Sequence, residues 1–94
     1  MTMINLEFKK DITKLAGNPL GRKVYDEQVK DIIHFDDKIC IVFPKNIDRI
    51  ASSFVQGFFK EIVDEIGIVG IFEKIEVVAE SIPDVQSFVF ENLE

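Results

Sequence analysis

Ile50-Ala51-Ser52-Ser53-Phe54-Val55-Gln56-Gly57-Phe58-Phe59-Lys60-Glu61-Ile62-Val63-Asp64-Glu65-Ile66-Gly67 is the stretch whose reading decides the fold. At about 100° per residue, Phe54, Val55, Phe58, Phe59, Ile62, Val63 and Ile66 fill one half of a helical wheel. Ser53, Gln56, Gly57, Lys60, Glu61 and Asp64 fill the other half, with Ser52 near the boundary and only Glu65 intruding on the apolar side. This is the pattern of an amphipathic helix that buries a broad aromatic stripe. Gly67 is placed to end it in a left-handed conformation. A short way upstream, Ile39-Cys40-Ile41-Val42-Phe43 is a continuous apolar run, which predicts a strand buried on both faces. Ser52 and Ser53 stand where that strand hands over to the helix.

Upstream, Met3 to Phe8 alternates apolar and polar residues and predicts a strand with Ile4, Leu6 and Phe8 facing inward. Lys9 to Leu15 fits either a loop or a short second strand. Gly17-Asn18-Pro19 predicts a helix start, with Asn18 as N-cap and Pro19 in the first turn. Leu20, Val24, Tyr25, Gln28, Val29 and Ile32 recur at helical spacing through Ile33, and Gly21 moves the expected start toward Arg22. Phe35-Asp36-Asp37 is the turn into a central strand over 38–43, which Pro44 should stop because it cannot donate to a ladder. Asn46, Asp48 and Arg49 then form a loop, with Asp48 an alternative cap for the main helix.

Downstream, residues 68–73 are apolar but broken by Gly70, and read as a loop or turn packing Ile68, Ile71 and Phe72 under the sheet. Lys74 to Ala79 is a third strand, rich in β-branched residues. Ser81 as cap and Pro83 in the first turn start a last helix, with Ile82, Val85, Phe88, Val89 and Leu93 on its apolar side; Phe88-Val89-Phe90 also fits a strand. The order is β-α-β-α-β-α, which predicts one α/β domain over 1–94. Its sheet has three to four largely parallel strands, with right-handed crossovers and helices packed against it.

Composition narrows the function classes. Seventeen acidic against eleven basic residues give a net charge of −6, and the basic residues are scattered, so direct nucleic-acid binding is not expected. Nine phenylalanines and no tryptophan put much of the core in aromatic packing. The single Cys40 excludes an internal disulfide and reads as a small buried hydrophobe. His34, just past the first helical pattern, reads as a capping or exposed histidine, with neither a second histidine nor a cysteine pair to make a metal site. No basic-then-apolar leader is present, and no apolar run reaches the roughly 18–20 residues that span a bilayer. The expected location is cytoplasmic.

Catalytic signatures are weak. Ser52 or Ser53 with His34 and an aspartate supplies the residue types of a triad, but the glycine-flanked elbow of a hydrolase serine does not occur. The glycines match no phosphate-binding spacing, and Asp36-Asp37 and Asp64-Glu65 read as solvated charge. The chain is therefore read as a non-enzyme without a cofactor. Ser53-Phe54-Val55-Gln56 has the spacing of a capping box, which gives Ser53 a purely structural alternative.

The sequence of apolar strand, short loop, paired serines, amphipathic helix, glycine, strand and Pro-started helix resembles the STAS domain of sulfate transporters and anti-sigma factor antagonists. It is most similar to a bacterial STAS-like family of unknown function, through Gly21-Arg22, Ser52-Ser53-Phe54, Gly67 and Ile71-Phe72, over roughly residues 17 to 93. The resemblance implies a signalling module whose partner is a histidine-kinase-like ATPase or anti-sigma factor. It also implies that the serine aligned with Ser53, beside Ser52, is a phosphorylation candidate whose modification releases the partner. The partner-binding residues would be Asp48, Arg49, Ser52, Ser53, Gln56 and Lys60. This chain has Ala51 where the antagonists carry an acidic residue, and Phe54 where they carry glycine. The alternative is a small assembly protein that forms a homodimer through an exposed sheet edge or its acidic surface, without a phosphoswitch.

Overall fold

The computed structural model describes residues 1–93. In chain order the elements are β1 (Thr2–Asn5), β2 (Lys14–Leu15), α1 (Asn18–Gln28), β3 (Ile39–Phe43), β4 (Arg49–Ile50), α2 (Ser52–Lys74), β5 (Ile75–Ala79) and α3 (Val85–Glu91). The architecture is α/β. A three-stranded parallel sheet has the order β1-β3-β5, and β2 pairs with β4 in a second, two-stranded parallel sheet. Among the described residues no helix is long and apolar enough to cross a membrane.

Alternation along the main strands sorts their side chains onto two faces. Ile4 and Leu6, Ile39, Ile41 and Phe43, and Ile75 and Val77 lie on one face, and none is more than 3 % exposed. The other face carries Met3 and Asn5, Cys40 and Val42, and Glu76 and Val78. There Met3 is 60 % and Val78 40 % exposed. Topology explains the asymmetry: the order β1-β3-β5 steps in one direction, so two crossovers of the same hand place α1 and α2 on one face. The expectation that β3 is buried on both faces is therefore met unevenly. Val42 is only half-buried. Cys40 is covered by its neighbours in the sheet, Met3 and Glu76, which are its register partners. Burial pushes its thiol pKa up, and the Glu76 carboxylate 3.6 Å from Sγ adds to the effect.

The core under the covered face is aromatic, as the phenylalanine count suggested. Phe58 is its hub: it stacks on Phe54 at 5.7 Å between centroids and meets Phe59, Tyr25 and Phe43 at 5.0, 6.1 and 6.2 Å. These rings pack because α1 and α2 approach to backbone contact. A Cβ on Gly57 would overlap the Asn18 carbonyl, and one on Gly21 would collide with the backbone of Phe54 and Phe58. Both glycines are buried. This corrects two expectations. Gly57 belongs to the α1 interface and not to the polar half of the wheel, and Gly21 is a packing site inside α1, which starts at Asn18.

Other boundaries differ for identifiable reasons. The cap of α1 is Gly17, at φ 99°, and not Asn18. That helix ends at Gln28, short of Ile33, because the chain turns at Val29, whose N–H and that of Lys30 both donate to the Tyr25 carbonyl. The turn lets Ile33 and Phe35 pack against the core while Ile32 stays exposed. Gly67 does take a positive φ, 72°, but with ψ 169°, a combination open to glycine, and a helix resumes at once. Residues 68–74 are therefore helical and not a loop, and β5 begins at Ile75. The redirected segment buries Ile71 completely, half-buries Ile68 and leaves Phe72 exposed, edge-on to Phe90 at 4.7 Å. Ser81 and Pro83 do not start α3. The Ser81 hydroxyl donates to the Lys45 carbonyl at 2.6 Å, and Asp84, in the left-handed region, is the cap. Phe88-Val89-Phe90 is helical, with Val85, Val89 and Leu93 buried.

Candidate functional site

All three main strands point their carboxyl ends toward the same edge of the molecule, and α1 and α2 start there. Loops and helix N-termini gather at this end, although the one-directional order β1-β3-β5 forms no switch-point crevice of the kind that holds ligands in doubly wound sheets. The residues that form this end are tied together by the small sheet. Thr13 O accepts from the Asp48 and Arg49 N–H groups at 2.8 and 3.3 Å, and Leu15 O accepts from Ala51 N–H at 2.8 Å. Asn46 donates its side-chain amide to the carbonyls of Lys9 and Ile12. Arg49 thus lies in a strand, where a loop was expected. The Lys9–Leu15 segment resolves as a loop leading into the short strand β2.

That ladder decides how α2 begins. Because Ala51 N–H continues the pairing, Ala51 is held extended, at φ −83° and ψ 155°, and becomes the cap residue. Its carbonyl accepts from the Phe54 and Val55 N–H groups. Ser52 and Ser53 are therefore the first two residues of the helix. Neither Asp48 nor Ser53 caps it, and the capping box does not form, since no side chain caps this end. The hydroxyl of Ser53 is used elsewhere: its Oγ accepts the Gly17 N–H at 2.9 Å. One half-buried serine so joins the start of α2 to the start of α1.

The predicted partner-binding residues sit together along this end and the adjoining stripe of α2. Asp48, Arg49, Ser52, Gln56 and Lys60 are exposed and Ser53 is half-buried. Lys60 is held by Asp64 one turn on, at 3.1 Å. Two cations that sequence reading did not connect are brought side by side, since Lys14 and Arg49 are register partners in the small sheet and both are exposed. Nothing in the linear sequence pairs residues so far apart through strands of two residues.

Beside this surface the α1–α2 groove is lined by Arg22, Tyr25, Asp26, Gly57, Lys60 and Glu61. Burial pushes the Tyr25 phenol pKa up, and Glu61, Asp26 and Glu65 add to it by charge repulsion. His34 follows α1 at the amino ends of the strands, so the topology puts it at the opposite end of the sheet from Ser52 and Ser53. The triad residue types are not brought together. Among the described residues no three histidine, cysteine, aspartate or glutamate side chains gather as a metal-holding group. No family model, curated protein or solved structure matches this chain.

Proposed function

We infer that this protein is a non-catalytic signalling module of STAS-like type, which docks a protein partner through the surface around Ser52 and Ser53. The observation that carries the reading is the bridge from Ser53 Oγ to Gly17 N–H. It makes one serine the joint between two helix starts, next to an exposed serine and the Lys14–Arg49 pair.

The physics of a switch follows. The paired cations and the start of a long helix give this end a local positive character on a chain of net charge −6, and suit it to an acidic patch on a partner. A phosphate on Ser52 or Ser53 adds about −1.5 to −2 charges. That is enough to cancel both cations and to repel the partner's acidic groups. On Ser53 it also displaces the Gly17 contact and loosens the α1 start. By its resemblance, the partner class is a histidine-kinase-like ATPase or anti-sigma factor, in a bacterial cytoplasmic signalling setting.

The test is a pull-down from native lysate with wild type, Ser53→Asp, Arg49→Glu and the distant Ser87→Asp as baits, each checked for folding by circular dichroism. Loss of the same partner with Ser53→Asp and Arg49→Glu, and its retention with Ser87→Asp, is the expected result. Equal recovery by all four baits would sink the reading.

A further inference from the structure

Tyr25 is the chain's one tyrosine, and there is no tryptophan. It is 4 % exposed, and its ring meets Phe58 edge-on. A buried tyrosine usually gives its hydroxyl a hydrogen-bond partner. Here the hydroxyl has none among the described residues. No sealed side-chain polar atom of those residues lacks a partner, so the small part of Tyr25 left open includes its oxygen. Tyr25 lines a recess of about 340 Å³ between the end of α1 and the middle of α2. The recess exists because the chain turns at Val29. Ile33 N–H donates to the Val29 carbonyl at 3.0 Å, and Ile33 and Phe35 fold back against the core as one wall. Lys74 pins that wall, its Nζ donating to the Phe35 carbonyl at 2.6 Å. Glu61, Asp64 and Glu65 of α2 form the facing wall, with Lys30 beside them.

We propose that this recess binds a small organic cation, an amine or guanidinium on a short alkyl stem, which donates to the Tyr25 hydroxyl and the Glu65 carboxylate and lays its stem along Ile33 and Phe35. Charge selects a cation, since three carboxylates against one ammonium line the recess. Two of the three are engaged: Glu61 lies 3.9 Å from Lys30, and Asp64 3.1 Å from Lys60. Glu65 is exposed and has no ion pair among the described residues. Hydrogen bonding selects a donor. Carboxylates only accept, and the phenol, whose proton is held on by burial and then by the charges of Glu61, Asp26 and Glu65, offers its lone pairs. Ammonium and guanidinium groups carry donors alone. Geometry disfavours a bare metal ion, because among the described residues no three acidic side chains gather as a metal-holding group. The charge is instead spread along a turn of helix, where a larger cation meets it. The opposite wall is aliphatic and aromatic, which suits an alkyl stem and attracts a cation. The volume is at the lower end of the roughly 300–1,000 Å³ of small-ligand pockets. This recess lies toward the amino ends of the strands, away from Ser52 and Ser53, so the proposal stands apart from the docking surface described above.

Tyrosine fluorescence reads this site directly, because Tyr25 has no other tyrosine or tryptophan to mask it. Agmatine, cadaverine and the peptide acetyl-Gly-Arg-Gly-amide are titrated into the protein at constant ionic strength, with backbone amide shifts followed in parallel. The expected result is a saturable change in emission with a dissociation constant of about 1 mM or tighter, and shifts that centre on Tyr25, Ile33, Phe35 and Glu65. Saturation by agmatine or cadaverine identifies a free amine as the ligand, and saturation by the peptide alone identifies a basic side chain; either supports the proposal. Tyr25→Phe removes only an unpartnered hydroxyl. It should fold as the wild type does and weaken binding, read by amide shifts, about three- to tenfold. Glu65→Gln, on the exposed face of α2, should weaken it about two- to fivefold and keeps the test open if the tyrosine variant fails to fold. The absence of saturation by any of these cations up to about 10 mM overturns the proposal. So do equal binding of uncharged n-pentanol, unchanged affinity in a folded Tyr25→Phe or in Glu65→Gln, or shifts that map away from the recess.

Discussion

The two faces of the β1-β3-β5 sheet are built from the same three strands and have opposite fates. Under α1 and α2, Ile4, Ile41 and Val77 are sealed, while on the other side their sequence neighbours Met3 and Val78 stay open. Parallel sheets usually carry helices on both faces. Here both crossovers fall on one side, and the third helix lies at the β5 edge instead of over the open face. The covered face is where stability is concentrated. The open face contributes little to folding and is available surface.

The largest expected effect probes the covered side. Phe58→Ala removes the ring on which four other aromatics converge, and should destabilise by about 3–5 kcal/mol in chemical denaturation. A loss near zero would mean that the aromatic hub is not the core. Next comes the helix crossing, where Gly57→Ala places a methyl against the Asn18 carbonyl and should cost about 1–3 kcal/mol, although alanine favours helix. If that variant is more stable than wild type, the two backbones do not touch. The smallest effect belongs to the open side. Val78→Thr should change stability by no more than about 0.5 kcal/mol, because a half-open β-branched site exchanges for another. A loss comparable to that of Phe58→Ala would show that something covers this face.

Much of this comparison was legible in the chain. The wheel of α2 named Phe54, Val55, Phe58, Phe59, Ile62, Val63 and Ile66 as its apolar half; the first five are 1 % exposed or less, and Val63 and Ile66 are half-buried. The apolar run 39–43 is the central strand, and Pro44 follows its last residue. The errors share a cause. Read singly, Gly21 looks like a weak point in its helix and Gly57 like part of a polar face, and only the contact between the helices gives them a purpose. Gly67 and Asp84 show the converse, since backbone dihedrals at breaks are settled by where the next segment must pack. The candidate site was half legible: the Ser52-Ser53 position was visible, but its geometry was not. The capping box failed because Ala51 is committed to a two-residue ladder whose other strand lies far back in the chain.

By itself the sequence determined most of the aromatic and aliphatic core, the alternation of the three main strands with the helices and the α/β class, because hydrophobic periodicity is a local property that burial must satisfy. Only the tertiary structure decided that Ser53 would hold Gly17, that Lys14 would stand beside Arg49, and that one sheet face would stay open. Those outcomes depend on backbone groups meeting across long separations, where pairing and close approach, and not periodicity, select the partner.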